Sequence, residues 1–298
     1  MWGITMKRVY DYLLHIYFTF RTWWPFWFYV LNYKNRKLLK NNPPLLNKVQ
    51  KKILAELKKE GIATSSLEEL FPGKNLLSLL QGYAESTSTE TSVNKRKPYL
   101  NEHWGVMPEL TLDNPFVTFS LSQEVLGVAS SYLEMFVKFK TFNLNRISAV
   151  PKESEEVYSQ KWHRDPQEKR ICKVFVYLTD VEKENGPFIY IPESSYGKKW
   201  GHLFPQYTPL GSYPKKEILE RKIPPEYWRI MTAKAGTVIF CDTTGLHKGG
   251  FVQKDSRLMF TAVYAAPTFK EASQYTLPQD FSKIKSGLSN QALFSVLP

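Results

Sequence analysis

Short β-forming runs separated by turn residues dominate the chain after about residue 140. They are the segments RISAV, KVFVYLTDV, GPFIYIP, GTVIFCD and RLMFTAVYAA. Several short strands at such spacing are typical of an all-β sandwich or barrel. Before them, apolar residues at helical spacing predict a helix that begins near Leu45 and ends at Gly61, and a second helix with Ser122 as its N-cap. The pattern therefore predicts a mainly β domain with flanking helices.

A basic and aromatic segment precedes this domain. Residues 1–43 contain seven Lys or Arg and one Asp, which is half of the net charge of +12. A Pro-Pro break follows, so we expect an arm over residues 1–43 and one domain over residues 44–298. Arg21 and Pro25 interrupt the apolar stretch, which is too short between charges to span a bilayer. Two interpretations stay open: an arm packed on the domain or on a second subunit, and a contact with an anionic membrane interface.

Composition also bears on compartment and partners. Cys172 and Cys241 are too few and too isolated for a disulfide framework, and they are typical of a reducing compartment. We therefore expect a cytoplasmic protein. Peripheral contact with a membrane through residues 1–43 stays open. The Lys and Arg outside the arm are scattered and no binding motif accompanies them, so we expect no nucleic-acid partner.

Two histidines and an aspartate have the residue types of a metal site. His163 and Asp165 are two residues apart ahead of a β run, so an extended backbone directs both to one face. His247 follows the strand GTVIFCD. Two imidazoles and one carboxylate form the facial triad of non-haem Fe(II), which leaves positions open for a bidentate 2-oxo acid and O₂. Arg257, at the start of the next strand, has the forked guanidinium that pairs with the distal carboxylate of such a co-substrate.

This set, in this order, resembles the phytanoyl-CoA dioxygenase-like family of Fe(II)/2-oxoglutarate-dependent oxygenases. The segments VYLTDVEKENGPFIYIPESS and AGTVIFCDTTGLHKGG are similar to segments of that family, and the resemblance covers roughly residues 45–270. It implies a double-stranded β-helix, or jelly roll, with Fe(II) bound by His163, Asp165 and His247. It also implies that Arg257 binds 2-oxoglutarate, and that oxidation of this co-substrate to succinate is coupled to hydroxylation of an unactivated C–H bond of a small organic substrate.

The chain departs from the family pattern at two places. Residues 192–195 read Pro-Glu-Ser-Ser where the family commonly has Pro-Gly-Ser-His, and Gly249 stands where a hydroxyl is often found. The second departure bears on one co-substrate contact and leaves the metal ligands intact. Asp165 is retained, whereas halogenating relatives lose this carboxylate, so the resemblance favours hydroxylation or a related oxidation.

Four further residues are candidates for the co-substrate site. Phe175 and Tyr177 share one face of their strand, with core packing as the equal alternative. Asn145 and Ser148, on the strand before the HxD motif, are candidates for contacts with the co-substrate carboxylates. The Pro- and Tyr-rich segment between residues 202 and 228 has the character of a functional lid.

Each proposed ligand also has a simpler interpretation. His163 and Asp165 could form a surface pair in a charged turn, because Lys161, Arg164, Glu168 and Lys169 surround them. Asp242 could compete as a ligand, although capping of the DTTG turn is favoured. The alternative function, from a different class, is a β-helix binding protein that holds a ligand without turnover.

Overall fold

Helices dominate the first half of the chain in the computed structural model, which describes residues 2–87, 92–93, 100–105, 107–149 and 155–297. They are α1 (Trp2–Arg21), α2 (Tyr33–Asn41), α3 (Lys48–Glu60), α4 (Leu67–Leu70), α5 (Leu76–Ser86), α6 (Pro115–Ser120) and α7 (Gln123–Leu133), with a π-helical segment at Phe26–Leu31. Three more follow later: α8 (Lys216–Lys222), α9 (Phe281–Lys285) and α10 (Asn290–Val296). Within the described ranges, no helix has the length and apolar character needed to cross a membrane.

Capping residues define the ends of the two predicted helices. Asn47 and Gln50 form a reciprocal capping box at the start of α3, and Gly61 ends that helix with a φ of 80° that disfavours other residues. The Ser122 hydroxyl accepts the Val125 N–H at 3.4 Å at the start of α7. Both helices are therefore confirmed.

Two antiparallel sheets form the β part of the fold. The strands are β1 (Ile62–Ser66), β2 (Ser92–Val93), β3 (Leu100–Glu102), β4 (Lys138–Ser148), β5 (Ile171–Tyr177), β6 (Phe188–Tyr190), β7 (Arg229–Ile230), β8 (Thr237–Asp242), β9 (His247–Gly249) and β10 (Ser256–Ala265). One sheet has the order β1-β8-β5-β10-β4-β3-β2, and the other has the order β7-β6-β9. Two facing antiparallel sheets with helices outside are the predicted double-stranded β-helix, which is confirmed.

Alternation along β5 divides its side chains between two cores. Val174 and Val176 pack in the large core under the helices. Phe175 and Tyr177 face the opposite way and pack with Phe188 of the small sheet. The space between the two sheets is therefore lined by every second residue of the large sheet, and the candidate site lies there.

The N-terminal arm packs on this domain through buried residues. Trp27 is fully buried, and Arg21 forms an ion pair with the equally buried Glu168 at 3.3 Å. The Asn32 side chain donates to the Thr268 hydroxyl at 3.0 Å. The arm is thus tied to the loop after the HxD motif and to the chain after β10.

Candidate metal centre

The three proposed ligands meet where the HxD segment joins β9. Ligand atoms of His163, Asp165 and His247 all lie within 4.8 Å of one another. The backbones of His163 and His247 exchange two N–H···O=C bonds, each of 3.0 Å, and the Asp165 N–H donates to the Thr243 carbonyl at 2.9 Å. The HxD segment therefore pairs with β9 through an isolated antiparallel bridge, and this pairing brings residues 84 positions apart in sequence to one point.

Backbone carbonyls determine which imidazole nitrogen faces the site. His163 Nδ1 is 2.8 Å from the Lys161 carbonyl, and His247 Nδ1 is 3.0 Å from the Gly245 carbonyl. A carbonyl oxygen can only accept, so each Nδ1 carries the proton. Each Nε2 atom then carries the lone pair through which an imidazole binds a metal. A carbonyl that accepts the other N–H is the usual second partner of a metal-binding histidine.

The carboxylate is held in its ionised form. Asp165 Oδ2 lies 2.7 Å from Lys173 Nζ, on the strand β5. Burial alone would raise the pKa of Asp165, but the positive charge of Lys173 and the two imidazoles lower it well below its usual range. Burial also lowers the pKa of His247 to about 3, so this ring is neutral. Two imidazoles and one carboxylate are the donor set that suits Fe(II), and these residues fit that ion.

The guanidinium of Arg257 is buried on the same face of the large sheet. Arg257 is 3% exposed and lies two positions before Met259 on β10, which pairs with Tyr177 of β5 and with Asn145 of β4. Tyr177 is hydrogen-bonded to Arg257, and its hydroxyl accepts the Phe188 N–H at 3.1 Å. A buried cation thus lies beside a phenol on the wall of the inter-sheet space.

Of the other co-substrate candidates, Phe175 and Asn145 lie at the inter-sheet space and Ser148 does not. Phe175 packs 4.9 Å from the Phe188 ring, which lies 5.7 Å from the His247 ring. The Asn145 Oδ1 atom is buried and has no hydrogen-bond partner among the described residues. Ser148 pairs with Ser256 and points to the opposite face of β4, so the structure does not bring it to the site.

Arg164, between the two ligands of the HxD motif, is a structural residue that the sequence did not reveal. It is 3% exposed, and every hydrogen bond that its guanidinium donates within the described part of the chain goes to a main-chain carbonyl. These carbonyls belong to Ser194, Trp200, Leu203, Phe204 and Thr244. Arg164 therefore joins the HxD segment, the turn before β9 and the start of the Pro- and Tyr-rich segment. Because Arg164 and Glu168 are both buried, the alternative of a charged surface turn is wrong.

Two smaller features organise the turn before His247. Asp242 accepts from the Tyr132 hydroxyl at 2.6 Å and from the Thr244 hydroxyl at 2.7 Å, so it caps the turn as favoured above. The Ser194 hydroxyl, in the departing Pro-Glu-Ser-Ser segment, accepts the Leu246 N–H at 2.7 Å. The serine of this segment therefore orients the distal histidine through the backbone.

Comparison with known proteins agrees with the fold and the site. The family model for phytanoyl-CoA dioxygenase (PhyH) matches residues 109–257. With fold, ligand set and family match together, the molecule is a jelly-roll oxygenase with a facial-triad metal site. The chain belongs to the phytanoyl-CoA dioxygenase family of Fe(II)/2-oxoglutarate-dependent oxygenases, as the sequence resemblance predicted, and its cofactors are Fe(II), 2-oxoglutarate and O₂.

Solved structures share the fold at low sequence identity. The epimerase SnoN, in complex with Fe3+, alpha ketoglutarate and nogalamycin RO, is 14% identical with a TM-score of 0.53 over 78% of this chain and 97% of SnoN. EctD from S. alaskensis with bound Fe is 18% identical with a TM-score of 0.53 over 81% of this chain and 84% of EctD. HygX from Streptomyces hygroscopicus, with nickel and 2-oxoglutarate bound, is 14% identical with a TM-score of 0.53 over 77% and 96%. No curated protein matches the chain at a significant level.

Proposed function

We propose that this protein hydroxylates an unactivated C–H bond of a small organic substrate, with release of succinate and CO₂. The cluster of His163, Asp165 and His247, with ligand atoms within 4.8 Å of one another, is the observation that carries the proposal. When bound at these residues, Fe(II) together with 2-oxoglutarate and O₂ supplies the oxidising power. The retained carboxylate of Asp165 favours hydroxylation over halogen transfer.

Arg257 and Tyr177 form the co-substrate clamp in this proposal. The guanidinium of Arg257 can pair with the distal carboxylate of 2-oxoglutarate through two parallel N–H···O bonds. Burial raises the pKa of Tyr177, so its phenol stays protonated. Because the Tyr177 oxygen already accepts the Phe188 N–H, its own proton is available for the same carboxylate. The Asn145 amide supplies a further polar group on the same row of the sheet.

The remaining wall residues exclude water and hold the carboxylate ligand. Phe175, Phe188 and Met259 line the inter-sheet space with apolar surface. Lys173 holds one oxygen of Asp165 at 2.7 Å, which leaves the other oxygen for the metal. A dry, pre-oriented site of this kind favours coupling of co-substrate oxidation to the substrate rather than to water.

The type of oxidation is the finer part of the proposal, because proteins with this fold differ in reaction. SnoN is described as an epimerase and SnoK as a carbocyclase, whereas an EctD structure contains 5-hydroxyectoine. A metabolite extract incubated with the protein, Fe(II) and 2-oxoglutarate is expected to yield one compound heavier by one oxygen, with an equal amount of succinate. An Asp165→Ala variant is the control and should yield neither.

Other results would contradict the proposal and favour a different reaction or function. A product lighter by two hydrogens, with succinate release, would indicate ring closure or desaturation. Binding of a compound without succinate release would indicate the non-catalytic β-helix protein. Succinate release equal in the wild type and in Asp165→Ala would contradict a role of the metal cluster.

We also propose a cytoplasmic location and a division into an arm, residues 1–43, and a domain, residues 44–298. Cys172 and Cys241 are free and buried, which supports a reducing compartment. Fractionation of the cells that produce the protein, with detection of the chain in the cytosolic and membrane fractions, tests the location. Recovery in a secreted fraction would contradict it.

A further inference from the structure

Helix α1 turns its apolar side outward. Met6, Val9, Leu13, Ile16 and Phe20 follow one another at spacings of three and four residues and are 67%, 51%, 59%, 48% and 56% exposed. Residues at these spacings lie on one face of a helix. A helix on the surface of a globular protein normally buries its apolar face and exposes its polar one. In α1 this apolar face is exposed, so it is suited to contact with something other than water.

The apolar surface continues beyond α1. Phe20 packs against Phe26 of the π-helical segment, with ring centroids 4.7 Å apart. Three more exposed residues lie on α1 itself, namely Tyr10, Tyr12 and Tyr17, and four lie beyond it, namely Trp23, Tyr29, Val30 and Tyr33. We call these seven residues, together with the five named above, the outer face of the arm. Contiguous exposed apolar patches mark interaction sites.

Positive charge accompanies the outer face. Exposed cations lie on the same helices, namely Lys7, Arg8, Lys34, Lys37 and Lys40. Asp11 is the one acidic residue of residues 1–43, and it is half-buried. Exposed Trp and Tyr beside Lys and Arg are the composition of helices that lie in the interface of an anionic bilayer. A two-fold contact with a second copy would instead bring these like charges together.

The arm is fixed to the domain, so its outer face has a defined direction. On the inner side of α1, His15 Nδ1 lies 2.7 Å from the Thr208 carbonyl, and the His15 ring stacks on Tyr207 at 4.0 Å. Arg21 is paired with buried Glu168. Polar inner contacts and apolar outer residues divide the helix into a side that holds the domain and a side that is left for a partner.

We propose that the outer face of the arm docks on the anionic surface of a lipid bilayer. Helix α1 lies in the interfacial plane, the side chains of Leu13, Ile16 and Phe20 enter the headgroup region, and the Lys and Arg side chains contact lipid phosphates. This inference is independent of the reaction that the metal site performs.

Co-sedimentation of the full chain with vesicles tests the apolar part of the proposal. Binding is expected to phosphatidylserine-containing vesicles and to be much weaker with pure phosphatidylcholine. Leu13→Glu with Phe20→Glu should abolish the binding, and both positions are exposed, so the fold is retained. The matched control is Leu79→Glu with Met107→Glu, two residues of similar exposure outside the arm, which should bind as the wild type does. A common melting temperature verifies that all three proteins are folded.

Neutralised cations test the electrostatic part. Lys34→Gln and Lys37→Gln are each expected to weaken binding about fivefold, since a basic residue near an anionic surface contributes about 1 kcal/mol. The controls are Lys183→Gln and Lys254→Gln, in the turns around Asn185, each made alone so that the change in charge is the same, and each should have a smaller effect.

Three outcomes would overturn the proposal. The first is failure of the wild type to pellet with anionic vesicles, and the second is an equal loss of binding in the control variants. The third is a dimer in light scattering that Leu13→Glu with Phe20→Glu converts to a monomer, because the outer face would then be covered by a second copy of the chain.

Discussion

The ion pair between Arg21 and Glu168 gives the sharpest test of how the arm is joined to the domain. Both Nη atoms of Arg21 lie 3.3 Å from Glu168 Oε2, and the two side chains are 4% and 0% exposed. Arg21 also donates to the Thr268 carbonyl. Replacement by Met in Arg21→Met keeps most of the apolar stem and removes the charge, so the Glu168 carboxylate stays buried without its cation.

The expected cost follows from this burial. Loss of one partner from a buried pair costs about 3–5 kcal/mol, because a charge is left uncompensated in the interior. The whole free energy of unfolding of a domain is about 5–15 kcal/mol. At about 2–4 °C per kcal/mol for a chain of this class, we expect the melting temperature of Arg21→Met to fall by about 10 °C at neutral pH.

The pH dependence distinguishes this cause from a loss of packing. Burial raises the pKa of Glu168, and Arg21 opposes that rise, so the pKa rises further in Arg21→Met. A carboxyl with a folded-state pKa above its unfolded value favours the folded state below the unfolded pKa, and this contribution is lost as the pH rises through the folded-state pKa. The loss of folding stability in Arg21→Met, relative to the wild type, should therefore be smallest at acidic pH and reach its full size at neutral pH.

Thermal and urea unfolding at two pH values measure the effect. Arg21→Met combined with Glu168→Met should recover most of the lost stability, because no charge then remains buried. The control is Lys234→Met, which breaks the Lys234–Asp180 pair of 2.7 Å between two exposed side chains and should leave the melting temperature unchanged. An Arg21→Met protein that melts with the wild type, or a deficit that is independent of pH, would refute the reasoning.

Three further substitutions test the site. Arg257→Lys should weaken 2-oxoglutarate binding about tenfold or more and iron binding much less, because only the forked guanidinium makes two parallel bonds; an equal loss of both affinities would argue for a structural role. Lys173→Met should weaken iron binding about 10–100-fold, measured by calorimetry, with Lys173→Arg retaining most of it. Gly245→Ala would put Cβ 2.1 Å from the Tyr190 hydroxyl and should destabilise the fold by about 1–3 kcal/mol, whereas Gly82→Ala, with open space around it, should stabilise by about 0.5–1 kcal/mol in urea unfolding.

Local patterns in the sequence were sufficient for much of the fold. Apolar residues at helical spacing that end at Gly61 indicated α3, and Ser122 indicated the start of α7. The β-forming runs separated by turns indicated a sandwich or barrel, and only the family resemblance implied the jelly roll. The parity of positions within a strand could have excluded Ser148, because Asn145 and Ser148 are three residues apart and strand alternation places them on opposite faces. The order HxD, His, Arg pointed to the three residues that the structure brings together, because each lies beside a recognisable strand.

Long-range contacts account for what the sequence did not predict. Arg164 and Glu168 looked like surface charges, and their burial depends on carbonyls from residues 194–204 and on Arg21, which is 147 positions away. The partner of the Asp165 carboxylate, Lys173, follows from the position of β5 beside the HxD segment. The outward apolar face of α1 depends on which side of the helix meets the domain, and a single helical pattern does not determine that.

Visible spectroscopy of the anaerobic protein with Fe(II) and 2-oxoglutarate is the most direct test of the central claim, that His163, Asp165 and His247 bind iron with the co-substrate beside Arg257. The account predicts a weak charge-transfer band in the wild type that is absent in His247→Ala and needs more 2-oxoglutarate in Arg257→Lys. A pure, folded wild-type protein with no such band, or a band of equal strength in His247→Ala, would contradict the account.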